Sequence, residues 1–291
     1  MSLSLGDVLA LGCALAWAIA VLLFRKLKDV EPDALNLFKN TLASVILFGI
    51  MCIMHVPFAR HRSLHDWIVL AGSGVLGLAV ADTLFFAGLR RIDASVAAIT
   101  DCAYAPTVIL LSAVFLREPL GLGLLLGAPL VIFGLYLATV TPRNAKAPVD
   151  KKGVLLTIGG VMMTALGVVL AKPVLADSDL VEATEVRLLV GTFALIVFQV
   201  ATGRFRAAFA LFRPQPLWRF AIPATLFGTV ISMLLWLGGM KLGAAARTAL
   251  LNQLGAIFVL VLSRIMGEHA PRRRWVGAAI AIGGACVVLG T

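Results

Sequence analysis

Charge is what this 291-residue chain has least of: Asp, Glu, Lys and Arg make up 14% of it, against 60% hydrophobic residues. A soluble domain is typically about one-quarter charged, so there is too little polar surface here to cover a water-exposed globule. The net charge of +10 is therefore no nucleic-acid footprint, because the basic residues fall mostly in short loops between apolar runs. Histidine is sparse as well. His55, His61, His65 and His269 lie in or beside loops, and no two share an apolar run. Cys13, Cys52, Cys102 and Cys286 sit inside apolar segments without the spacing of a metal or redox site. No Gly-rich phosphate loop, metal-ligand cluster or nucleophile elbow occurs, so the sequence predicts no enzyme and no cofactor. No small-residue cleavage site follows the first apolar run. Arg25, Lys26 and Lys28 follow it instead, and it reads as a retained span.

What the chain has in quantity is apolar runs of about 20 residues, the length that crosses a bilayer as a helix. Ten are placed, at 6–24, 34–54, 67–89, 94–115, 121–140, 153–173, 183–202, 218–239, 245–265 and 275–290. The expected fold is an all-α membrane protein of ten transmembrane helices, with close neighbours antiparallel because their connections are short. A polar linker at 142–152, containing Pro142 and Pro148, separates a first unit at 1–141 from a second at 153–291. A basic stretch at 203–216 is expected on the membrane surface. Basic residues concentrate in the odd-numbered loops, which the positive-inside rule places in the cytoplasm, leaving both termini outside.

The second unit repeats the first. Gly6 and Gly12 recur as Gly153 and Gly159, Lys39 as a basic Arg187, and Trp67, Gly77 and Gly88 as Trp218, Gly228 and Gly239. Glu118, Gly127 and Gly134 recur as Glu268, Gly277 and Gly284, and the offset drifts only from 147 to 151 residues. An odd number of spans per unit inverts the second copy. Two inverted five-helix repeats around a central cavity are the layout of a secondary transporter.

Lys39, Asp82, Asp101 and Arg187 lie inside apolar spans, where each would cost several kcal/mol facing lipid. At about 1.5 Å per residue, the first three sit roughly 8–10 Å from the odd-loop ends of their helices and can meet at one level. Trp17 falls at that level, and Tyr104 lies one turn deeper than Asp101. In the second half Asn252 stands where Asp101 does, Gln253 is adjacent, and Met233 replaces Asp82. Deep carboxylates are thus expected in the first half alone, as a proton carrier or a ligand for a substrate ammonium. Plainer readings stand beside these. Lys39 and Arg187 can snorkel to the interface, Asp82 can simply neutralise Lys39, and Asp101 can hold a structural hydrogen bond. Trp17, Tyr104 and Trp236 can be packing aromatics. The glycines of the fifth and tenth spans read as a close-packed seam.

Further features are a Trp late in the first span, a basic residue early in the second and seventh, and Pro106 in the fourth. The fourth and ninth spans end in Phe115-Leu116-Arg117-Glu118-Pro119 and Met266-Gly267-Glu268. With these the chain resembles the EamA-type transporters of the drug/metabolite transporter superfamily. Arg117 departs from the glycine usual before that Glu, and Ala18 from the glycine often found after that Trp. The resemblance implies a carrier of the bacterial cytoplasmic (inner) membrane, often an exporter of amino acids or related metabolites. It also implies termini in the cytoplasm, the reverse of the charge count, and a site lined by the third, fourth, eighth and ninth helices. The expected substrate-binding set is Asp101, Asp82, Tyr104, Lys39, Arg187, Asn252, Gln253, Trp17 and Trp236. The expected function is alternating-access export or exchange of a small polar or amphipathic metabolite, with protons as the candidate coupling ion. Its partners would be the small-molecule substrate and the lipid bilayer, with no nucleic acid, in a monomer or homodimer. The rival readings are a proton-independent facilitator, a lipid flippase and a membrane enzyme.

Overall fold

The computed structural model describes residues 3–27, 29–58, 62–89, 91–92, 96, 100–139, 150–267 and 269–290. The linker prolines Pro142 and Pro148, together with Lys28, His61 and Glu268, lie outside the described residues, as do 94, 95 and 97–99 of the predicted fourth span. Among the described residues every regular element is helical. The longer helices are α1 (Leu5–Phe24), α2 (Pro32–Met54), α3 (Leu64–Gly74, Val75–Val80 and Ala81–Leu89 in succession) and α4 (Tyr104–Leu116). There follow α5 (Leu122–Thr139), α6 (Lys151–Asp177), α7 (Leu180–Ala201), α8 (Trp218–Leu242), α9 (Ala245–Ile265) and α10 (Arg272–Leu289).

Local chemistry sets several of the starts. Ser4 and Asp7 form a reciprocal capping box on α1, while Ser63, Asp150 and Asp179 cap α3, α6 and α7 with side-chain oxygens. Among the described residues seven helices are long and apolar enough to cross a membrane: α1, α2, α3, α5, α6, α8 and α9. The other three differ for visible reasons. Helix α4 is short, α10 opens on Arg272, Arg273 and Arg274, and α7 carries Glu182, Glu185 and Arg187 near its start.

The duplication extends to irregularities. The wide turns Val75–Val80 in α3 and Leu226–Ile231 in α8 fall at the same place in the two halves. So do helix breaks at 102–103, just before α4, and at 253–254 within α9. The halves interleave: α1 packs on α8 and α9, α6 on α3 and α4, α2 on α7, and α5 on α10. Close approach explains the recurring glycines. A Cβ on Gly88 would stand 2.7 Å from the Gly153 carbonyl oxygen, and one on Gly134 would stand 2.4 Å from the Ala281 nitrogen. The α5–α10 seam expected from glycine spacing is therefore present. The 203–216 stretch folds back onto the bundle, with Leu211 buried, Trp218 Nε1 donating to the Leu211 carbonyl at 2.9 Å, and Phe38 against Phe212.

Candidate functional site

Between the halves lies a cavity of about 580 Å³. It brings together all nine residues singled out from the sequence: Trp17 (α1), Lys39 (α2), Asp82 (α3), Asp101 and Tyr104 (before and in α4), Arg187 (α7), Trp236 (α8), and Asn252 and Gln253 (α9). The two helix breaks meet here. Where the backbone leaves the helix its carbonyls are freed, and Gln253 Nε2 donates to the Asp101 carbonyl at 2.9 Å, tying the two interruptions together.

The charged residues divide into paired and unpaired. Lys39 Nζ lies 3.4 Å from Asp82 Oδ2 and donates to Asn40 Oδ1 at 3.2 Å, so this pair contributes no net charge. The Asp101 side chain is exposed to the cavity and has no partner among the described residues. Arg187 is 0% exposed, which rules out snorkelling: its helix is buried continuously over 182–188. Its Nε and Nη1 have no hydrogen-bond partner among the described residues, and the guanidinium lies 5.7 Å from the centre of the Trp236 ring. Trp236 Nε1 in turn donates to the Tyr104 hydroxyl at 3.1 Å. Asn252 Oδ1 is buried and unpartnered among the described residues.

The cavity has a mouth and a floor. Arg25, His269 and Arg274, on the side of the odd-numbered loops, line its outer part. Three ion pairs tie the opposite face together. Arg247 holds Asp7 through two bonds of 2.7 and 2.8 Å. Lys172 Nζ meets Glu118 at 2.6 Å and also donates to the Gly243 carbonyl. Arg62 pairs with Glu182 and donates to Ser178 Oγ at 2.9 Å. Glu118 also accepts the Ala245 N–H at 3.0 Å, so its carboxylate caps the positive end of α9. The repeat marks Glu118 in the sequence without assigning it this role, and Asp7, Lys172 and Arg247 carry no mark at all.

One expectation fails. Deep carboxylates are not confined to the first half, because Glu182 and Glu185 are 5% and 0% exposed in α7. Glu185 falls at the start of the span predicted at 183–202 and is not among the charges singled out from the sequence. Helix α7 in fact starts at Leu180, and its first turns are enclosed by α2 and α3.

A sequence model of the EamA-like transporter family matches residues 4–140 and 151–290. An "uncharacterized transporter" of Archaeoglobus fulgidus is 30% identical over 131 residues, which is 45% of this chain and 46% of that protein, so less than half of the relative is matched. A protein of known crystal structure superimposes with a TM-score of 0.80 over 97% of this chain and 95% of its own. At 18% identity that likeness is one of fold.

Proposed function

This chain belongs to the EamA-like transporter family and is a multi-pass membrane transporter, and we propose that it exports or exchanges small polar or amphipathic metabolites of the amino-acid type. In this reading ten helices cross the bacterial cytoplasmic membrane, and the two inverted halves rock about the central cavity. The observation that carries it is the pair of unmatched charges. The Asp101 carboxylate and the Arg187 guanidinium face one cavity, and neither has a bonded counter-ion among the described residues. An unpaired charge withdrawn from water, as the buried Arg187 guanidinium is, is costly. A ligand carrying both an ammonium and a carboxylate supplies both missing partners, and Arg suits the carboxylate through its planar fork of donors. Trp17, Tyr104 and Trp236 give apolar and cation–π walls for the rest of the substrate. Lys39 and Asp82 neutralise each other and leave that charge balance unchanged.

Thermal denaturation of the purified protein tests the reading, because a ligand of the folded state raises the melting temperature. L-amino acids are expected to stabilise it, while the corresponding amines and the amino-acid amides, which lack the carboxylate, are expected to do so much less. Stabilisation by nucleosides or quaternary amines and by no amino acid would refute the zwitterion reading.

A further inference from the structure

We infer that Glu185 is a proton-carrying site, loaded from the central cavity along a polar stripe of α2 and unloaded at the face closed by the ion pairs. Glu185 is wholly buried and does not line the cavity. Ser44 of α2 donates to its Oε1 at 2.5 Å, while Oε2 is buried with no hydrogen-bond partner among the described residues.

No cation bonds Glu185 among the described residues, and most charged groups on the elements around it are engaged elsewhere. Lys39 of α2 pairs with Asp82 of α3, Arg62 ahead of α3 with Glu182, and Asp33 of α2 with Arg204. Lys241 of α8 donates to the Ser178 carbonyl, and Arg219 at the far end of α8 lies over Phe220. His65 and Arg206 are exposed, and Asp66 sits in the first turn of α3. Arg187, two residues along α7, faces the cavity. An ionised carboxylate here would lose its hydration and gain no counter-ion, a heavy penalty. With a proton on Oε2 the group is neutral, and Ser44 still satisfies Oε1.

A route exists on both sides. Asn36, Asn40 and Ser44 lie at i, i+4 and i+8 on α2, all buried, and Asn40 Nδ2 donates to Asn36 Oδ1 at 3.3 Å. Asn40 also accepts from Lys39, whose partner Asp82 borders the cavity. This stripe therefore runs from the cavity to Glu185, and bound water along it can relay a proton. On the other side Glu182 lies one turn before Glu185, held by Arg62 at the closed face. Opening that face separates Arg62 from Glu182 and admits water, so the proton taken up from the cavity water leaves to the water beyond. Helix α7 then carries the proton at Glu185 and the substrate's carboxylate at Arg187, and its displacement moves both. The inference rests on the transporter reading above and adds to it the coupling ion and its site.

Infrared spectroscopy of the protein in lipid nanodiscs tests the site without any substrate. At neutral pH we expect a protonated-carboxyl stretch that is lost in Glu185→Gln, shifted in Ser44→Ala and unchanged in Asp101→Asn. A spectrum indifferent to both Glu185→Gln and Ser44→Ala overturns the proposal. The second arm uses proteoliposomes, a pH gradient and an equimolar mixture of radiolabelled L-amino acids. The wild type is expected to accumulate label and Glu185→Gln only to equilibrate it; equal accumulation by both also overturns the proposal. If the wild type moves no amino acid while the infrared pattern is as expected, the substrate reading falls and the proton site stands.

Discussion

Arg187 and Asp101 act as a pair only if each recognises its own substrate group, and single substitutions separate them. Loss of one charged hydrogen-bonding partner removes about 1.5–3 kcal/mol of binding, roughly a 10- to 100-fold weaker affinity. Asp101→Asn is expected to show that loss for amino acids but not for the matching carboxylic acids, and Arg187→Gln to show it for amino acids but not for the matching amines, measured by isothermal titration. Arg187→Lys should recover part of the affinity, since an ammonium keeps the charge and loses the fork. Arg117 bears on stability rather than binding. Its φ is +53°, in the left-handed region, and Gly267 occupies the corresponding place in the second half at +90°. The departure from glycine noted in the sequence thus has a backbone cost. Arg117→Gly is expected to stabilise the protein by about 0.5–1 kcal/mol, because relief of the left-handed strain exceeds glycine's greater unfolded entropy. Arg187 was legible through its match to Lys39. Glu185 was not, since a carboxylate near a helix end reads as a solvent charge until its neighbours are known.

At the scale of elements, glycine seams and ion pairs fix how helices meet. A side chain on Gly134 collides with backbone of α10 rather than with a flexible tip, so Gly134→Leu must push the α5–α10 pair apart. We expect it to destabilise the fold by about 1–3 kcal/mol, seen as a lower melting temperature in detergent. The Glu118–Lys172 pair should behave differently. Their side chains are 15% and 17% exposed, and Glu118→Gln leaves Lys172 partly buried without its counter-ion. That change is expected to cost about 3 kcal/mol, and a following Lys172→Met to restore part of it, because removing both charges also removes the unpaired one. The apolar runs and seam glycines follow from composition and spacing along the sequence. Which carboxylate meets which cation does not, because Asp7 and Arg247 are 240 residues apart.

Over the whole molecule the arrangement is asymmetric despite the duplication. One face is bound by three carboxylate–cation pairs, and the cavity extends toward the other, where His269 lines it. Weakening the closed face should shift the population toward the opposite opening. In a background lacking the native cysteines, His269→Cys is expected to react with a membrane-impermeant maleimide from one side only. Adding Arg247→Gln, which frees Asp7, should slow that labelling as the mouth spends less time open. The labelled side also decides orientation. Reaction from the cytoplasm fits the distribution of basic residues, and reaction from outside places both termini in the cytoplasm.

The sequence by itself determined the class of the molecule: scarce charge, long apolar runs and a unit written twice dictate a helical membrane bundle. It also marked the candidate cavity residues, because a charge or amide inside an apolar span has few places to go. Only the tertiary structure decided which charges cancel and which remain. Lys39 and Asp82 neutralise each other, Asp101 and Arg187 keep no bonded counter-ion among the described residues, and Glu185 finds a hydroxyl in place of a cation. Pairing depends on distances across helices that lie far apart in the chain, and no period or spacing along the sequence encodes them.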